Sequence, residues 1–443
     1  MKHKNLYTCS NCNYQTLKWL GCCPECNQWN SFVEVKQTPT KTHKAKSATL
    51  QTLSTIPTTK EKRMLSNIDE WDRVVGNGIV PGSLIVITGD PGIGKSTLLL
   101  QISNQLAQNY KIIYFSCEES LHQVKQRANR LNCTNENILF SDDVNLESII
   151  QTAEEQKPNI VIIDSIQSCY TSQNQTLPGS TGQIRQAAYE LMRLSKEKNI
   201  SIITSGHITK DGTMAGPKTL EHMVDGVFYL QGEDRWNIRV LRSVKNRFGN
   251  IQEVGFFQMT QDGLQEVSNI NAHILDEATY SPGAVLVSSI QGSRPLLLEL
   301  QALVIASKFG MPQRVVTGLD HKQVVLIAAI LEKYLHVKLS SHDIFFKISG
   351  GLKVQESSSD LGIALALLSS YFQKELPEKS IALGEISLTG QIKPINHIGL
   401  HIKEAQKFGT KTLLVSKNQK LENQAKCSIK KFAHVYQLLE LFA

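Results

Sequence analysis

The chain has 443 residues, and at about 150 residues per domain this length points to more than one small module. With 41% hydrophobic and 20% charged residues it is a folded chain with material for more than one core, which excludes disorder throughout. The formal charge of +7 is modest. Seven cations (Lys36, Lys41, Lys44, Lys46, Lys60, Lys62 and Arg63) face only Glu61 in one short stretch, so the remainder is near neutral and charge alone makes no case for nucleic acid.

Residues 1–35 carry five of the nine cysteines. Cys9 and Cys12 form one C-x2-C pair, and Cys23 and Cys26 form another after ten intervening residues. Each pair sets two thiolates on a tight turn, and two facing turns complete a tetrahedral site at roughly 2.3 Å metal to sulfur, for which zinc is the natural occupant. So short a segment cannot bury enough apolar surface to fold alone, and metal binding would supply its stability. Four protein ligands leave no open position, so the site reads as structural; scattered thiols or a redox pair are the alternative. Cys22 adjoins Cys23, but only Cys23 completes the second pair.

Residues 36–63 are a basic Thr, Lys and Ser stretch without apolar periodicity, expected to be a flexible linker. The opening MKHKNLYTCS lacks the apolar stretch of a secretory signal, and no run of about eighteen uncharged apolar residues occurs, so a cytoplasmic protein without a membrane partner is expected.

From 64 to 267, LIVIT, IIYFS, ILF, NIVIID and ISIITS read as buried strands. They alternate with STLLLQISNQLAQ and TGQIRQAAYELMRLSKEK, whose apolar residues recur at helical spacing. The pattern predicts a parallel sheet covered on both faces. VFYLQ and WNIRVLRSVKNRFG follow without helices, predicting that the sheet ends in antiparallel hairpins.

Gly89-Asp90-Pro91-Gly92-Ile93-Gly94-Lys95-Ser96-Thr97 matches G-x4-G-K-[ST] between the strand LIVIT and a helix, the context a phosphate-binding loop requires. Its glycines let backbone N–H groups wrap phosphates at a helix N-terminus. Lys95 is expected to bridge the β- and γ-phosphates and Ser96 to hold Mg²⁺. A loop that binds nucleotide without hydrolysing it is the alternative. Asp164, ending NIVIID, is placed where the carboxylate of the Mg²⁺ shell belongs, or else caps a helix. Glu118 and Glu119 follow IIYFS, a strand expected next to the phosphate-loop strand; Glu118 is preferred as the base because Glu119 can start the following helix. His207, at the end of ISIITS, reads as a γ-phosphate sensor or, more simply, as part of a solvated loop. Lys245 and Arg247 alternate on a strand beside Phe248, a pair able to contact phosphate of DNA or of a neighbour's nucleotide.

Residues 268–443 hold the strand candidates GAVLVSSI, LLLELQALVIAS and DIFFKISG and helix candidates at HKQVVLIAAILEKYL and from Ser358 to Phe372.

The C-x2-C-x10-C-x2-C finger, GDPGIGKST, the pentapeptide KNRFG and this C-terminal pattern together resemble the RadA (Sms) family of bacterial DNA repair proteins, which are RecA-related ATPases. The resemblance covers essentially the whole chain. It implies an α/β fold: a RecA-like P-loop ATPase core with a parallel sheet (64–267), an N-terminal zinc ribbon-like finger (1–35) and a C-terminal α+β Lon-protease-like domain (268–443). It further implies hexameric rings, binding of single-stranded and branched DNA, action on intermediates made by RecA filaments, and ATP-driven branch migration. By the same resemblance Lys95 and Ser96 serve ATP and Mg²⁺, Asp164 the metal shell and Glu118 water activation, while Lys245 and Arg247 couple DNA to hydrolysis across a subunit boundary. Residues 171–182 and 207–218 correspond to the DNA-channel loops, with Arg185, Lys210 and Lys218 as phosphate contacts. Where Lon-type peptidases have their nucleophilic Ser and activating Lys, this chain has Asp360 and Gly399, so a platform rather than a peptidase is expected.

Overall fold

The computed structural model describes residues 6–9, 15–16, 18–24, 28–35, 52, 54, 62–172, 178–207, 217–233, 237–276, 278–308, 310–348, 356–421 and 427–443. The chain divides into two compact units, 1–60 and 61–443.

In the first unit, β1 (Leu6–Cys9), β2 (Gln15–Thr16) and β3 (Phe32–Val35) make an antiparallel sheet in the order β2-β1-β3. Cys9 and Cys23, one from each C-x2-C pair, are buried with Phe32 in one small core. Cys12 and Cys26 lie outside the described residues.

The second unit begins with the short helix α1 (Asp69–Val75) and continues into strands β4 (Leu84–Gly89), β5 (Ile112–Ser116), β6 (Ile138–Ser141), β7 (Ile160–Asp164) and β8 (Ser201–His207). These alternate with α2 (Lys95–Leu106), α3 (Leu121–Arg130), α4 (Leu146–Gln156) and α5 (Thr181–Lys198). After α6 (Pro217–Met223), strands β9 (Gly226–Glu233), β10 (Ile238–Asn246), β11 (Val254–Thr260) and β12 (Gly263–Glu266) complete a nine-stranded sheet in the order β12-β11-β10-β9-β4-β8-β7-β5-β6. β4 through β9 pair in parallel, and β9 to β12 turn back as antiparallel hairpins. Every residue of β4, β5 and β7 is buried, because helices cover both sheet faces with separate apolar cores.

Two expectations need correction. ILF is an edge strand: Leu139 and Phe140 of β6 are exposed, since β6 has a neighbour on only one side. IIYFS is not adjacent to the phosphate-loop strand either, because β7 and β8 insert between β5 and β4.

After α7 (Ile270–Asp276) comes a second sheet built from β13 (Ala284–Gln291), β14 (Arg294–Ala306), β15 (Arg314–Thr317), β16 (His342–Ile348), β17 (Ser380–Leu383), β20 (Thr412–Ser416) and β21 (Ser428–Phe432), in the order β15-β16-β14-β13-β17-β20-β21. A small ribbon of β18 (Glu385–Ile386) and β19 (Ile392–Lys393) accompanies it. The helices are α8 (His321–Leu335), α9 (Asp360–Phe372) and α10 (Ile398–Lys407). α9 is buried from Asp360 to Ser370, and Gly362 allows that approach: a Cβ there would lie 2.2 Å from Val287 Cγ1. Val240, Val254 and Phe256 of the first large sheet share one apolar core with Val285, Leu296 and Leu298 of the second. No helix among the described residues is long and apolar enough to cross a membrane.

Candidate active site

The phosphate loop leaves the C-terminal end of β4 and enters α2. Gly92 and Gly94 have φ of 77° and 114°, backbone that side chains rarely adopt. A Cβ on Gly94 would also meet Met259 Cε at 2.7 Å, and one on Gly89 would meet the Leu230 carbonyl at 2.2 Å, so β9 and β11 press directly on the loop. Lys95 opens α2 and is buried; its Nζ donates to the Gly89 and Asp90 carbonyls at 2.9 and 3.0 Å. Burial lowers its pKa, while the charges of Asp164, Glu118 and Asp90 pull the other way and favour the ammonium. Ser96 and Thr97 follow in the first turn of α2, partly exposed, and Asp90, Pro91 and Gly92 form the exposed rim.

Asp164 ends β7 and is buried between two neighbouring strands that both bond its carboxylate. Tyr114 of β5 donates to Oδ2 at 2.9 Å, and Ser205 of β8 donates to Oδ1. Burial and the Asp164 charge push the Tyr114 hydroxyl well above its ordinary pKa, so it is held as a donor. The Asp164 carbonyl accepts from Cys117 N at 2.7 Å, which fixes the backbone just before Glu118. Ser165 donates to Glu118 Oε1, and Ser168 approaches the same oxygen at 3.4 Å. Glu119 is committed elsewhere, in a 2.5 Å ion pair with Arg127 of α3. The next residue, Ser120, forms a capping box with Gln123, so Ser120, not Glu119, caps α3. Lys95, Asp164 and Glu118 thus converge at one edge of the sheet. Tyr114, Ser205 and Ser165 support them and carried no role in the sequence reading.

Lys245 and Arg247 are not brought to this edge. β10 runs antiparallel to β9, and Asn246 pairs with Gly226 beside Ile85, near the opposite end of β4. At about 3.3 Å per residue, six-residue β4 puts them roughly 17 Å from the phosphate loop of their own chain. A bulge falls between Ser243 and Lys245, and Arg247 lies just beyond the strand. Lys245 Nζ donates to the Glu221 carbonyl; burial, then the Arg247 charge, lowers its pKa. Arg247 pairs at 3.3 Å with buried Asp225, which also accepts from Lys196 at 2.8 Å and from Leu84 N at 3.0 Å.

His207 is the last residue of β8, registered against Gly89, and Arg185 is exposed on α5. Lys210 and most of 207–218 lie outside the described residues, as do 173–177 of the other channel-loop segment. At the start of α9, Asp360 is buried and accepts from Gln323 Nε2 at 2.7 Å and Ile386 N at 3.1 Å, and burial raises its pKa. Gly399 is the second residue of α10, where a Cβ would meet nothing within 4 Å. Ser357 donates to Glu385 and Ser359 to the Glu356 carbonyl, bonds that organise the turn into α9.

A glycine-wrapped loop, a buried lysine and a strand-end aspartate on this sheet define a RecA-like P-loop ATPase, here joined to an N-terminal metal-binding ribbon and a C-terminal Lon-protease-like domain. Three family profiles match the chain: "AAA domain" over 51–213, "Rubredoxin metal binding domain" over 7–34 and "Subunit ChlI of Mg-chelatase" over 306–419. The protein called DNA repair protein RadA from Listeria monocytogenes is 42% identical over 424 residues, spanning 94% of this chain and 93% of the relative. Its namesake in Bacillus subtilis is 41% identical over the same shares. That of Aquifex aeolicus is 39% identical over 99% of both chains. The chain belongs to the RadA family.

Proposed function

We propose that the protein is a DNA-dependent ATPase motor of recombination and repair, which hydrolyses ATP to drive branch migration of strand-exchange products made by RecA. The observation that carries this reading is the convergence of Lys95, Glu118 and Asp164 beside the glycine loop. Lys95 and the loop amides bind and orient the β- and γ-phosphates, countering the charge that develops on the transferred phosphoryl group. Glu118, aimed by Ser165, orients the attacking water and takes its proton. Ser96 and Asp164 would hold Mg²⁺, which would supply charge neutralisation at the phosphates. Asp164 suits that role: it is anchored by hydroxyl donors from both flanking strands and lies close enough to influence Lys95.

The separation of Lys245 and Arg247 from their own phosphate loop supports action across a subunit boundary, in a hexameric ring whose neighbour presents its nucleotide or DNA to them. In the ribbon, Cys9 and Cys23 share a core, and with Cys12 and Cys26 they are assigned to one structural Zn²⁺. In the C-terminal domain Asp360 is tied to Gln323 and the Ile386 amide, and it serves packing rather than peptide cleavage. The boundaries 1–35, 36–63, 64–267 and 268–443 are proposed as finger, linker, motor and platform, in a cytoplasmic protein.

A strand-exchange reaction arrested by removing RecA tests the reading. Added protein with ATP should extend the heteroduplex, and the Lys95→Ala form should not; equal extension by both would refute it.

A further inference from the structure

The turn carrying Arg247, Phe248 and Gly249 joins β10 to β11 and is gripped from two sides. On one side stands α1. Asn246 Nδ2 donates to the Val74 carbonyl at 3.3 Å, Arg63 bridges the Gly76 and Phe248 carbonyls, and a Cβ on Gly249 would lie 2.8 Å from Gly76 Cα.

On the other side stands the β13–β14 turn of the C-terminal sheet, residues 291–294. Ser293 donates through both its backbone N and its hydroxyl to the buried carboxylate of Glu253, each at 3.0 Å. Arg242 donates to Gln291 at 3.3 Å. Gly292 (φ 61°) fits so closely that a Cβ would lie 2.7 Å from Glu253 Cα. Arg294 then reaches α1: its Nη1 lies 3.0 and 3.1 Å from the two carboxylate oxygens of Glu70, its Nη2 donates to the Ser268 carbonyl at 2.6 Å, and its guanidinium lies 5.4 Å over the Phe256 ring. Glu70, 1% exposed, also accepts from Phe256 N at 2.9 Å and from Arg73 at 3.1 Å.

Burying two carboxylates at a junction costs more in desolvation than apolar packing of the same volume would. What they supply is direction: each bond fixes where one turn sits relative to the other. We propose that Arg294 and Glu253 are positioning residues through which the C-terminal domain sets the KNRFG turn, so that this domain acts on DNA-coupled hydrolysis without touching nucleotide. The role in hydrolysis rests on the motor reading above; the mechanical latch does not.

The test has two readouts on the full-length protein. Hydrogen exchange follows the Arg247 and Gln252 amides, which bond to the Asp225 and Ser243 carbonyls in the native state. In Arg294→Ala their exchange should rise at least about tenfold while β4 and β7 stay protected; unchanged exchange at the turn would overturn the latch. Should Arg294→Ala loosen the whole unit, Arg294→Lys and Glu253→Gln decide, with a rise confined to the turn expected and a uniform rise contradicting the proposal. The second readout is a double-mutant cycle on DNA-stimulated hydrolysis. Arg294→Ala should lose most of the stimulation, keep the DNA-free rate, and add no further loss on top of Arg247→Ala; additive losses would mean a merely structural role. If the native protein shows no DNA stimulation, the motor reading fails, and the exchange result still decides the latch.

Discussion

Glu118 and Glu119 are adjacent in sequence and chemically alike, yet their surroundings separate them. Glu119 is spent on Arg127, whereas Glu118 is aimed by Ser165 beside the strand end that carries Asp164. Glu118→Gln should therefore leave ATP binding intact and cut turnover by about a hundredfold or more, the usual range for losing a general base. Glu119→Gln should stay within about threefold, the scale of a partly exposed ion pair; steady-state kinetics and nucleotide titration of both variants check this. Tyr114→Phe removes one of the two hydroxyls bonded to Asp164 and should lower kcat by about tenfold, matching the loss of a hydrogen bond to a charged group. Thermal unfolding of that variant shows whether the loss is confined to the site. Such supports escape a reading of the sequence because they depend on register between strands distant along the chain. Tyr114 and Ser205 meet only because β5 and β8 flank β7, an order no local pattern states.

At the scale of elements, the segments, the parallel sheet and its antiparallel end were legible, and the order of strands across the sheet was not. The apolar spacing of HKQVVLIAAILEKYL matches α8 from His321 to Leu335, and the glycine loop joins β4 to α2 as its motif requires. The edge position of β6 and the insertion of β7 and β8 between β5 and β4 followed from long-range pairing instead. Lys245 and Arg247 were legible as a cationic pair, but only the hairpin geometry puts them at the far end of the sheet. Helix α10 carries a separate consequence in His401, which is buried against Ser288 at 2.9 Å. Burial, then the neighbouring His397, pushes its pKa from the ordinary 6.5 down to about 4. Between those values the unfolded chain binds a proton that the folded one refuses. The contribution is therefore fully present above pH 6.5 and lost as pH falls towards 4, by roughly 3 kcal/mol. Denaturant melts at pH 7 and pH 4.5 should show that loss, and it should shrink in His401→Gln; an unchanged pH dependence in the variant would contradict the assignment.

At the scale of the molecule, the two compact units depend on different forces. The second has several apolar cores, whereas among the described residues of the first one small core holds Cys9, Cys23 and Phe32. A strong chelator should therefore release about one zinc per chain and unfold the ribbon, leaving the melting of 61–443 in place. Cys23→Ser should do the same without chelator; metal analysis beside calorimetry reads both, and full zinc content in the variant would contradict the ligand set. Whether the sheet edge of the larger unit hydrolyses ATP under the control of DNA is tested most directly by steady-state phosphate release from the purified protein, with and without single-stranded DNA, at saturating Mg·ATP. Slow release alone, acceleration by DNA, and loss of both in Lys95→Ala are expected. No release under any condition, or a rate indifferent to DNA, would contradict a DNA-dependent motor.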